Sequence, residues 1–187
     1  MSFDPCQVYS PEADTFLLLE AAQAEVKPGD RVLEIGTGSG YIAAALVRCC
    51  NIVATDINPH AVRCARVGGV EVMRTDLFNG IRSEFDLVIF NPPYLPTQPE
   101  ERIDDWLEYA LDGGETGRRV IERFAAEVRS VLAPDGRCLV LISSLTGLRE
   151  TSELFSEKGF STEIVLQRPV EDEILYVLRV RNEKSGK

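Results

Sequence analysis

The sequence predicts an α/β fold in which a mostly parallel sheet carries helices on both faces. Short apolar segments alternate with amphipathic segments along most of the 187 residues, which is the order that parallel sheets require. A glycine-rich stretch, 36–40, joins the first predicted strand to the next helix. The run at 86–90 has a continuous apolar core, as a strand buried on both faces does. At this length we expect one domain, 1–187, with a polar tail at 182–187.

Local signals support each element in turn. The first helix is predicted to begin at Ser10 and Pro11, because serine caps helices and proline suits their first position. A turn at 28–30 leads into the first strand, 31–35, and the glycine loop joins that strand to a helix at 41–48. The apolar side chains of the first helix lie on one broad face, which we expect to pack on the sheet: Phe16, Leu17, Leu18, Ala21 and Ala22.

The remaining elements alternate in the same way. Pro59 suits the start of a helix that Gly68 and Gly69 end, and the turn residues at 134–136 are predicted to end a long helix at Leu132. The last two strands are expected to pair antiparallel. In chain order the predicted elements are a strand at 52–55, a helix from 59 to about 68, strands at 70–74 and 86–90, a helix at 117–132, a strand at 138–142, a helix at 148–157, and strands at 162–166 and 174–180.

Composition excludes several classes of function. His60 is the one histidine, which excludes triads built on histidine and multi-histidine metal sites. It follows Pro59 and is expected at the surface. The five cysteines show no zinc-ligand spacing, and the chain shows neither a membrane-spanning stretch nor a secretory signal. The net charge of −10 repels nucleic acid backbones. We therefore expect a cytoplasmic protein with reduced thiols, no metal, no membrane and no nucleic acid partner.

Asn91, Pro92, Pro93 and Tyr94 directly follow the buried strand at 86–90. Open α/β sheets bind ligands at the carboxyl ends of their strands. Each proline fixes its own φ and keeps the residue before it extended, which directs the amide of Asn91 into a cleft. An amide oxygen and a main-chain carbonyl can together accept both hydrogens of an NH2 group, and a tyrosine ring can lie flat against it. The motif predicts a receptor for a planar, nitrogen-bearing group; a plain Pro-Pro turn is the alternative.

The glycine loop and the acid that follows the next strand predict a cofactor site. Glycines allow a tight turn and close approach of a ligand, and the helix amino terminus behind them favours an anion. Asp56 ends the second strand, where an acid suits ribose hydroxyls. The ligand could be a dinucleotide or another ribose-bearing cofactor, although the spacing of Gly36, Gly38 and Gly40 is less typical of dinucleotide sites. A purely structural glycine turn is the alternative.

Asp76 and Leu77 follow the third strand. A carboxylate can accept from an adenine amino group while a leucine packs on the ring face, although aspartate here could simply form a turn. Position favours the functional interpretation, because four polar side chains sit at or near the carboxyl ends of four successive strands and are expected to meet at one rim. They are Glu34, Asp56, Asp76 and Asn91.

This set of residues resembles class I S-adenosylmethionine-dependent methyltransferases. In that family the Asn-Pro-Pro-Tyr element occurs in enzymes that methylate planar nitrogens of DNA, RNA or protein glutamine. The segment 8–19, which includes Tyr9, Pro11 and Thr15, resembles the opening of the short archaeal and eukaryotic HemK-like enzymes. These methylate the glutamine of the Gly-Gly-Gln motif in class I translation release factors. The pattern Gly113-Gly114-x-x-Gly117-Arg118 resembles the same group.

The resemblance implies a Rossmann-like sheet of seven strands in the order 3-2-1-4-5-7-6, with strand 7 antiparallel. It also implies that S-adenosylmethionine is the methyl donor and S-adenosylhomocysteine the product. The implied cofactor contacts are Thr15, Glu34, Gly36, Gly38, Gly40, Asp56, Asp76, Leu77 and Asn91. The implied catalytic and substrate-binding residues are Asn91, Pro92, Pro93 and Tyr94.

The same resemblance implies two protein partners. One is the release factor; since no separate recognition domain is expected, it would be recognised by the rim loop 95–112 or by a partner protein. Trp106 in that loop is either a core anchor or a substrate contact. The acidic stretch 100–105 is either a solvated face or a contact for a basic loop. The other is a small zinc-binding activator that would add to the sheet edge at 70–74; an edge merely blunted by Glu71 and Arg74 is the alternative. Ser10 and the position of Glu12 depart from the family pattern, which puts contacts at that edge in question.

Three other functions remain open at this point. A methyltransferase for amino groups of DNA or RNA could use the same site, although the net charge and the lack of a basic stripe oppose it. A nucleotide-dependent oxidoreductase would leave the Asn-Pro-Pro-Tyr corner unexplained. A binding module without activity would have no need of the complete rim set.

Overall fold

The computed structural model describes residues 4–102 and 105–183, and the strands in these ranges form a seven-stranded sheet. Each predicted strand is present. The strands are β1 (Arg31–Ile35), β2 (Asn51–Asp56), β3 (Val72–Arg74), β4 (Phe85–Phe90), β5 (Leu132–Ser143), β6 (Phe160–Val170) and β7 (Glu173–Asn182).

The sheet has the order β3-β2-β1-β4-β5-β7-β6. The first five strands pair in parallel, and β7 lies antiparallel between β5 and β6. This arrangement confirms both the predicted mostly parallel sheet and the strand order that the resemblance implied. Because β2, β1 and β4 are neighbours, their carboxyl ends lie side by side at one rim.

Helices cover both faces of the sheet. The strand β4 shows why, since Leu87 and Ile89 join one hydrophobic cluster while Val88 and Phe90 join the other. The first cluster takes in residues of the first three helices, and the second takes in those of the last two. The helices are α1 (Ala13–Glu25), α2 (Tyr41–Leu46), α3 (Pro59–Val67), α4 (Arg119–Glu127) and α5 (Leu148–Glu157).

The predicted start of the first helix is wrong. α1 begins at Ala13, and the residue before it, Glu12, has an extended backbone (φ −127°, ψ −166°) and makes no capping bond. Ser10 and Pro11 therefore belong to the segment that leads into the helix. The Tyr9 hydroxyl donates a hydrogen bond to Asp14 Oδ2 (3.1 Å) across the junction, so a side-chain contact holds this segment against the first turn of α1. Phe16, which was expected on the buried face, is 45% exposed.

The predicted end of the fourth helix is also wrong. α4 ends at Glu127, a 3-10 turn covers Val128–Ser130, and β5 begins at Leu132. The turn residues at 134–136 lie inside the span of β5 rather than before it. Pairing with β4 is irregular there, because Phe85 pairs with Leu132 whereas Leu87 pairs with Arg137. The turn is thus accommodated as a bulge within the strand.

His60 is buried, at 8% exposure, and not at the surface as predicted. Its Nδ1 accepts a hydrogen bond from the main-chain N–H of Asp4 (3.0 Å). The side chain therefore has a tertiary role that its position after Pro59 does not reveal.

Several expectations fall partly outside the described residues. They include the middle of the acidic stretch, at 103–104, and the end of the polar tail, at 184–187. Within residues 4–102 and 105–183, no three His, Cys, Asp or Glu side chains come together as metal ligands. None of the helices in these ranges has the length and apolar character needed to cross a bilayer.

Candidate active site

A cleft of about 1290 Å³ opens at the carboxyl ends of β1, β2 and β4. Gly40 is the one predicted site residue that does not line it. A Cβ on Gly40 would lie 2.8 Å from the Cβ of Ala65, so this glycine allows α2 to pack closely against α3. The predicted site residues that do line the cleft are Thr15, Glu34, Gly36, Gly38, Asp56, Asp76, Leu77, Asn91, Pro92, Pro93 and Tyr94.

Glu34 lies in β1 and is 4% exposed. Its Oε2 accepts hydrogen bonds from Thr37 Oγ1 (2.6 Å) and from the N–H of Ala43 in α2 (3.2 Å). Burial raises the pKa of Glu34 to about 8; the two hydrogen bonds act in the opposite direction, and the charge of Asp56 adds to the rise. The cleft therefore contains a fixed carboxyl group that changes protonation near neutral pH.

Asp56 and the glycine loop form one unit. The Oδ2 of Asp56 accepts from the N–H of Gly38 (2.8 Å), and its Oδ1 accepts from the N–H of Asn58 (2.8 Å). Burial raises the pKa of Asp56, while main-chain hydrogen bonds oppose that rise. Gly38 has φ +54°, and a Cβ on it would meet only the carbonyl oxygen of Tyr9, at 3.8 Å. The space above the loop is therefore open to a ligand, and a carboxylate stands beside it.

Asp76 and Leu77 form the wall beyond β3. One oxygen of Asp76, Oδ2, is paired with Nη2 of Arg123 in α4 at 2.8 Å, a contact that the sequence did not suggest. Leu77 is buried and has φ +45°, a left-handed conformation that is strained for leucine. The strained backbone places an apolar side chain against the cleft directly beside a carboxylate.

Asn91 follows β4, and its amide group has one end tied and one end free. Its Nδ2 donates to Oδ2 of Asp14 in α1 (3.0 Å). Its Oδ1 is buried and has no hydrogen-bond partner among the described residues. A buried acceptor without a partner costs about 1–3 kcal/mol. Asn91 thus lines the cleft and carries a buried acceptor whose hydrogen-bonding capacity is unused.

Tyr94 ends the Asn-Pro-Pro-Tyr segment and lines the cleft together with Asn91. Burial raises the pKa of Tyr94, and the negative charges of Asp14 and Glu173 add to the effect. The phenol therefore stays neutral at neutral pH. Its carbonyl oxygen accepts from Thr146 Oγ1 (3.4 Å), and the next residue, Leu95, bonds through its N–H to Leu111 (3.2 Å). The corner is held by the chain that follows it.

The amino-terminal strap, residues 4–12, covers the cleft from one side. The carbonyl of Gln7 accepts from Asn58 Nδ2 (2.7 Å), and its side-chain oxygen accepts from the N–H of Trp106 (2.9 Å). The Trp106 ring is half-buried, lies 5.1 Å from that of Tyr109 and lines the cleft. Arg74 stacks on it at 5.6 Å. The strap and the rim loop are therefore bonded to each other, and both line the cleft.

Sequence reasoning missed Asp14, Tyr9 and Glu173 as side chains of the site. Asp14 lies 77 residues from Asn91 in the chain, so only the fold brings them together. Glu173 lines the cleft and accepts a short hydrogen bond from Ser143 Oγ. A usable signal existed for the first two, because both lie in the opening segment 8–19 that resembles the HemK-like enzymes.

The family model and the relatives that match this chain are all methyltransferases. The family model described as the methyltransferase small domain matches residues 9–104. The chain is 40% identical to a Methanocaldococcus jannaschii protein provisionally named as a protein N5-glutamine methyltransferase, over 92% of this chain and 90% of that protein. It is 36% identical to the methyltransferase HEMK2 of Homo sapiens, over 92% of this chain and 88% of the human protein.

A solved structure extends the likeness to three dimensions. The chain is similar to one in the E. cuniculi Mtq2–Trm112 complex, which is described as responsible for methylation of the termination factor eRF1. The TM-score is 0.80 at 31% sequence identity, and the match covers 95% of this chain and 99% of the other.

Proposed function

This chain belongs to the methyltransferase small-domain family and is an S-adenosylmethionine-dependent protein-glutamine methyltransferase, and we propose that Asn91 holds the amide that it methylates. Its substrate is a release factor glutamine. We place that glutamine in the Gly-Gly-Gln motif of a class I factor. We also propose that the chain acts as a single domain in the cytoplasm, where translation factors work, and that its source is archaeal.

The cleft offers S-adenosylmethionine open space at the glycine loop and hydrogen-bond acceptors along its walls. A Cβ at Gly38 would enter open space, so the loop leaves room for a ligand to lie against its main chain. Asp56 offers carboxylate oxygens at the place where ribose hydroxyls need acceptors, and Asp76 and Leu77 offer an acceptor and an apolar surface for adenine. Thr15 and Glu34 line the same cleft. The bound cofactor would supply an electrophilic methyl group on a sulfonium.

The observation that supports the glutamine site best is the unpartnered Oδ1 of Asn91. A glutamine amide is a poor nucleophile because its nitrogen lone pair is delocalised. Asn91 Oδ1 and a main-chain carbonyl of the Pro-Pro segment would accept the two amide hydrogens, orient the lone pair and stabilise positive charge on nitrogen. Tyr94, which is neutral, would pack flat against the amide plane. The step requires no histidine or lysine base.

Methylation of a purified Gly-Gly-Gln release factor tests this proposal. The wild-type chain, co-expressed with its activator and given S-adenosylmethionine, should add one methyl group to that glutamine, located by mass spectrometry of the digested factor. Asn91→Ala should lower kcat by about a hundredfold or more and leave cofactor affinity nearly unchanged. Transfer of radiolabel to DNA or RNA with none to the factor would instead assign the chain to nucleic acid methylation. An Asn91→Ala variant of undiminished rate would refute the role of Asn91.

We further propose that a small zinc-binding activator protein adds a strand to β3. β3 is an edge of the sheet and pairs only with β2 among the described strands. Both Met73 and Arg74 are exposed there, and such an edge leaves main-chain groups for another chain to pair with. Support comes from the E. cuniculi structure, which is a complex of two proteins. Co-expression with the activator should yield a complex of equal parts that survives size-exclusion chromatography; a fully active, well-behaved lone chain would refute the pairing.

A further inference from the structure

Asp14 accepts hydrogen bonds on both of its carboxylate oxygens and is only 4% exposed. Its Oδ1 accepts from the N–H (2.6 Å) and the hydroxyl (3.2 Å) of Thr15. Its Oδ2 accepts from the hydroxyl of Tyr9 (3.1 Å) and from Nδ2 of Asn91 (3.0 Å). A buried charge is stable only when it is paired in this way. The carboxylate is thus fixed from both sides and faces the asparagine at the end of β4.

We propose that Asp14 is a positioning residue that holds the Asn91 amide with its oxygen, and not its nitrogen, toward the substrate. The proposal rests on the proposed function of Asn91. It assigns to the opening segment 8–19 a part in substrate selection in addition to covering the cleft. Tyr9 takes part indirectly, because its hydroxyl occupies the same oxygen of Asp14.

The need for such a residue follows from the symmetry of an amide group. Rotation by half a turn exchanges the oxygen and the nitrogen of Asn91 and leaves its shape nearly unchanged. In one orientation Oδ1 can accept from a substrate NH2 group; in the other, two donors face each other. Both oxygens of Asp14 accept in the structure, so Asp14 selects Nδ2 of Asn91 for itself. A hydrogen bond to a charged group contributes about 1.5–3 kcal/mol, which corresponds to a preference of about 10- to 100-fold for the productive orientation.

Only a carboxylate can meet all of these donors at this position. Asparagine has the same size but a single acceptor oxygen. In one orientation of the new asparagine, its oxygen would accept from Asn91 and Tyr9, and its NH2 group would then face the N–H of Thr15, so that two donors meet. In the other orientation, the oxygen of the new asparagine would accept from Thr15, and its NH2 group would face the NH2 group of Asn91. The Asn91 amide would then turn, so that its own oxygen accepts from the new NH2 group. Asp14→Asn therefore removes the restraint on Asn91 without removing a contact surface.

The test compares Asp14→Asn with Glu20→Gln in the full chain. Glu20 is an exposed acid of the same helix, paired with Arg168 at the surface (2.7 Å), so its variant loses one charge away from the cleft. Asp14→Asn should lower kcat for Gly-Gly-Gln methylation by about 10- to 100-fold, with the Kd for S-adenosylmethionine within about threefold of wild type. Glu20→Gln should retain wild-type kcat. A thermal melt of both variants shows whether they are folded.

A double-mutant cycle separates positioning from general damage to the helix. If Asp14 acts through Asn91, then Asp14→Asn should lower kcat in the wild-type background and have little further effect in Asn91→Ala. Equal factors in both backgrounds would show that Asp14 acts elsewhere and would overturn the proposal. An Asp14→Asn variant with wild-type kcat would overturn it as well.

A measurement without turnover keeps this inference distinct from the proposed function. In a proton–nitrogen correlation spectrum the side-chain NH2 signal of Asn91 is the one missing from Asn91→Ala. It should shift in Asp14→Asn and stay in place in Glu20→Gln. If the wild-type chain methylated no release factor even with the activator present, the proposed function would fail, yet this shift would still support the restraint by Asp14. An unmoved signal in Asp14→Asn would overturn the restraint whatever the activity.

Discussion

Gly117 lies against the main-chain carbonyl of Tyr94, so closely that a Cβ on Gly117 would come within 2.4 Å of that oxygen. Gly117 also has φ +71°, and a Cβ on Gly113 would lie 2.7 Å from its Cα. The two glycines thus let the chain after the rim loop fold tightly beneath the Pro-Pro-Tyr corner. The pattern Gly113-Gly114-x-x-Gly117-Arg118 has a physical reason here, since it supports the residues that follow Asn91.

We expect Gly117→Ala to displace that corner. An alanine with positive φ costs about 1–2 kcal/mol wherever it occurs, and a methyl group inside a main-chain contact adds about 1–3 kcal/mol. Gly29→Ala is the matched control, because Gly29 has φ +88° and a Cβ on it would meet no atom within 4 Å. Urea denaturation should show a larger loss for Gly117→Ala, and a methylation assay should show reduced kcat in that variant alone. Equal losses of stability would contradict the close contact.

The glycine loop gives a second matched pair. A Cβ on Gly40 would collide with Ala65 at 2.8 Å, whereas a Cβ on Gly38 would enter the open cleft. Gly40→Ala should therefore lower the free energy of unfolding by about 1–3 kcal/mol more than Gly38→Ala. Gly38→Ala should raise the Kd for S-adenosylmethionine by about tenfold or more, because the methyl group occupies space that the cofactor needs. Calorimetry of unfolding and of binding measures the two effects separately. A greater loss of stability in Gly38→Ala, or a greater loss of cofactor affinity in Gly40→Ala, would contradict these roles.

The strands and their rim could be predicted because their signals are local. The strand at 31–35 and the helix at 148–157 have the bounds that their residue patterns predicted. Glu34, Asp56 and Asn91 line one cleft because the carboxyl ends of parallel strands meet at one edge. The sequence alone is enough to predict such a site, because each of these polar residues lies at or next to the end of a strand that can itself be recognised.

Other features depend on contacts between distant parts of the chain, and local signals misplace them. Ser10 and Pro11 look like the start of a helix, yet α1 begins only at Ala13, and the strap is bonded to Asp14 and to Asn58, the residue that caps α3. The turn residues at 134–136 look like the end of an element, yet pairing with β4 resumes beyond them. His60 is buried because the strap reaches it from Asp4. The restraint on Asn91 by Asp14 could not be deduced for the same reason.

The proposed activator interface predicts a position-specific effect of charge. Met73 lies on the edge strand and is 45% exposed, and Val47, which is 48% exposed, lies just after α2 and is the matched control. Met73→Lys should weaken the complex with the activator by about tenfold or more, because a lysine would be buried against an apolar partner surface. Val47→Lys should leave the affinity unchanged. Isothermal calorimetry or co-purification with the activator measures the difference. Equal affinities of the two variants would place the interface elsewhere.

Glu34 predicts how stability depends on pH in the absence of cofactor. Burial raises its pKa from 4.5 to about 8 on folding, so between these values the folded chain holds a proton that the unfolded chain has released. Its contribution to stability is therefore complete below about pH 4.5 and is lost as the pH rises through 8. The stability of Glu34→Gln should depend less on pH. The pH dependence that remains should come partly from Asp56, whose pKa is also raised. Urea denaturation at pH 5, 6, 7 and 8 tests this; parallel curves for the two chains would contradict it.

Cofactor binding should release protons for the same reason. S-adenosylmethionine carries a sulfonium and an ammonium group against one carboxylate, so its net positive charge favours the ionised form of Glu34 and lowers the pKa of that group in the complex. At pH 7 the free chain keeps Glu34 largely protonated, because its pKa is about 8, and binding should displace part of that proton. Calorimetric titrations in phosphate and in Tris, which differ in ionisation enthalpy, would measure the protons released. The wild-type chain should release more than Glu34→Gln, and affinity should rise between pH 6 and 8 more steeply in the wild-type chain. Identical heats in the two buffers would mean that Glu34 keeps its protonation state when the cofactor binds.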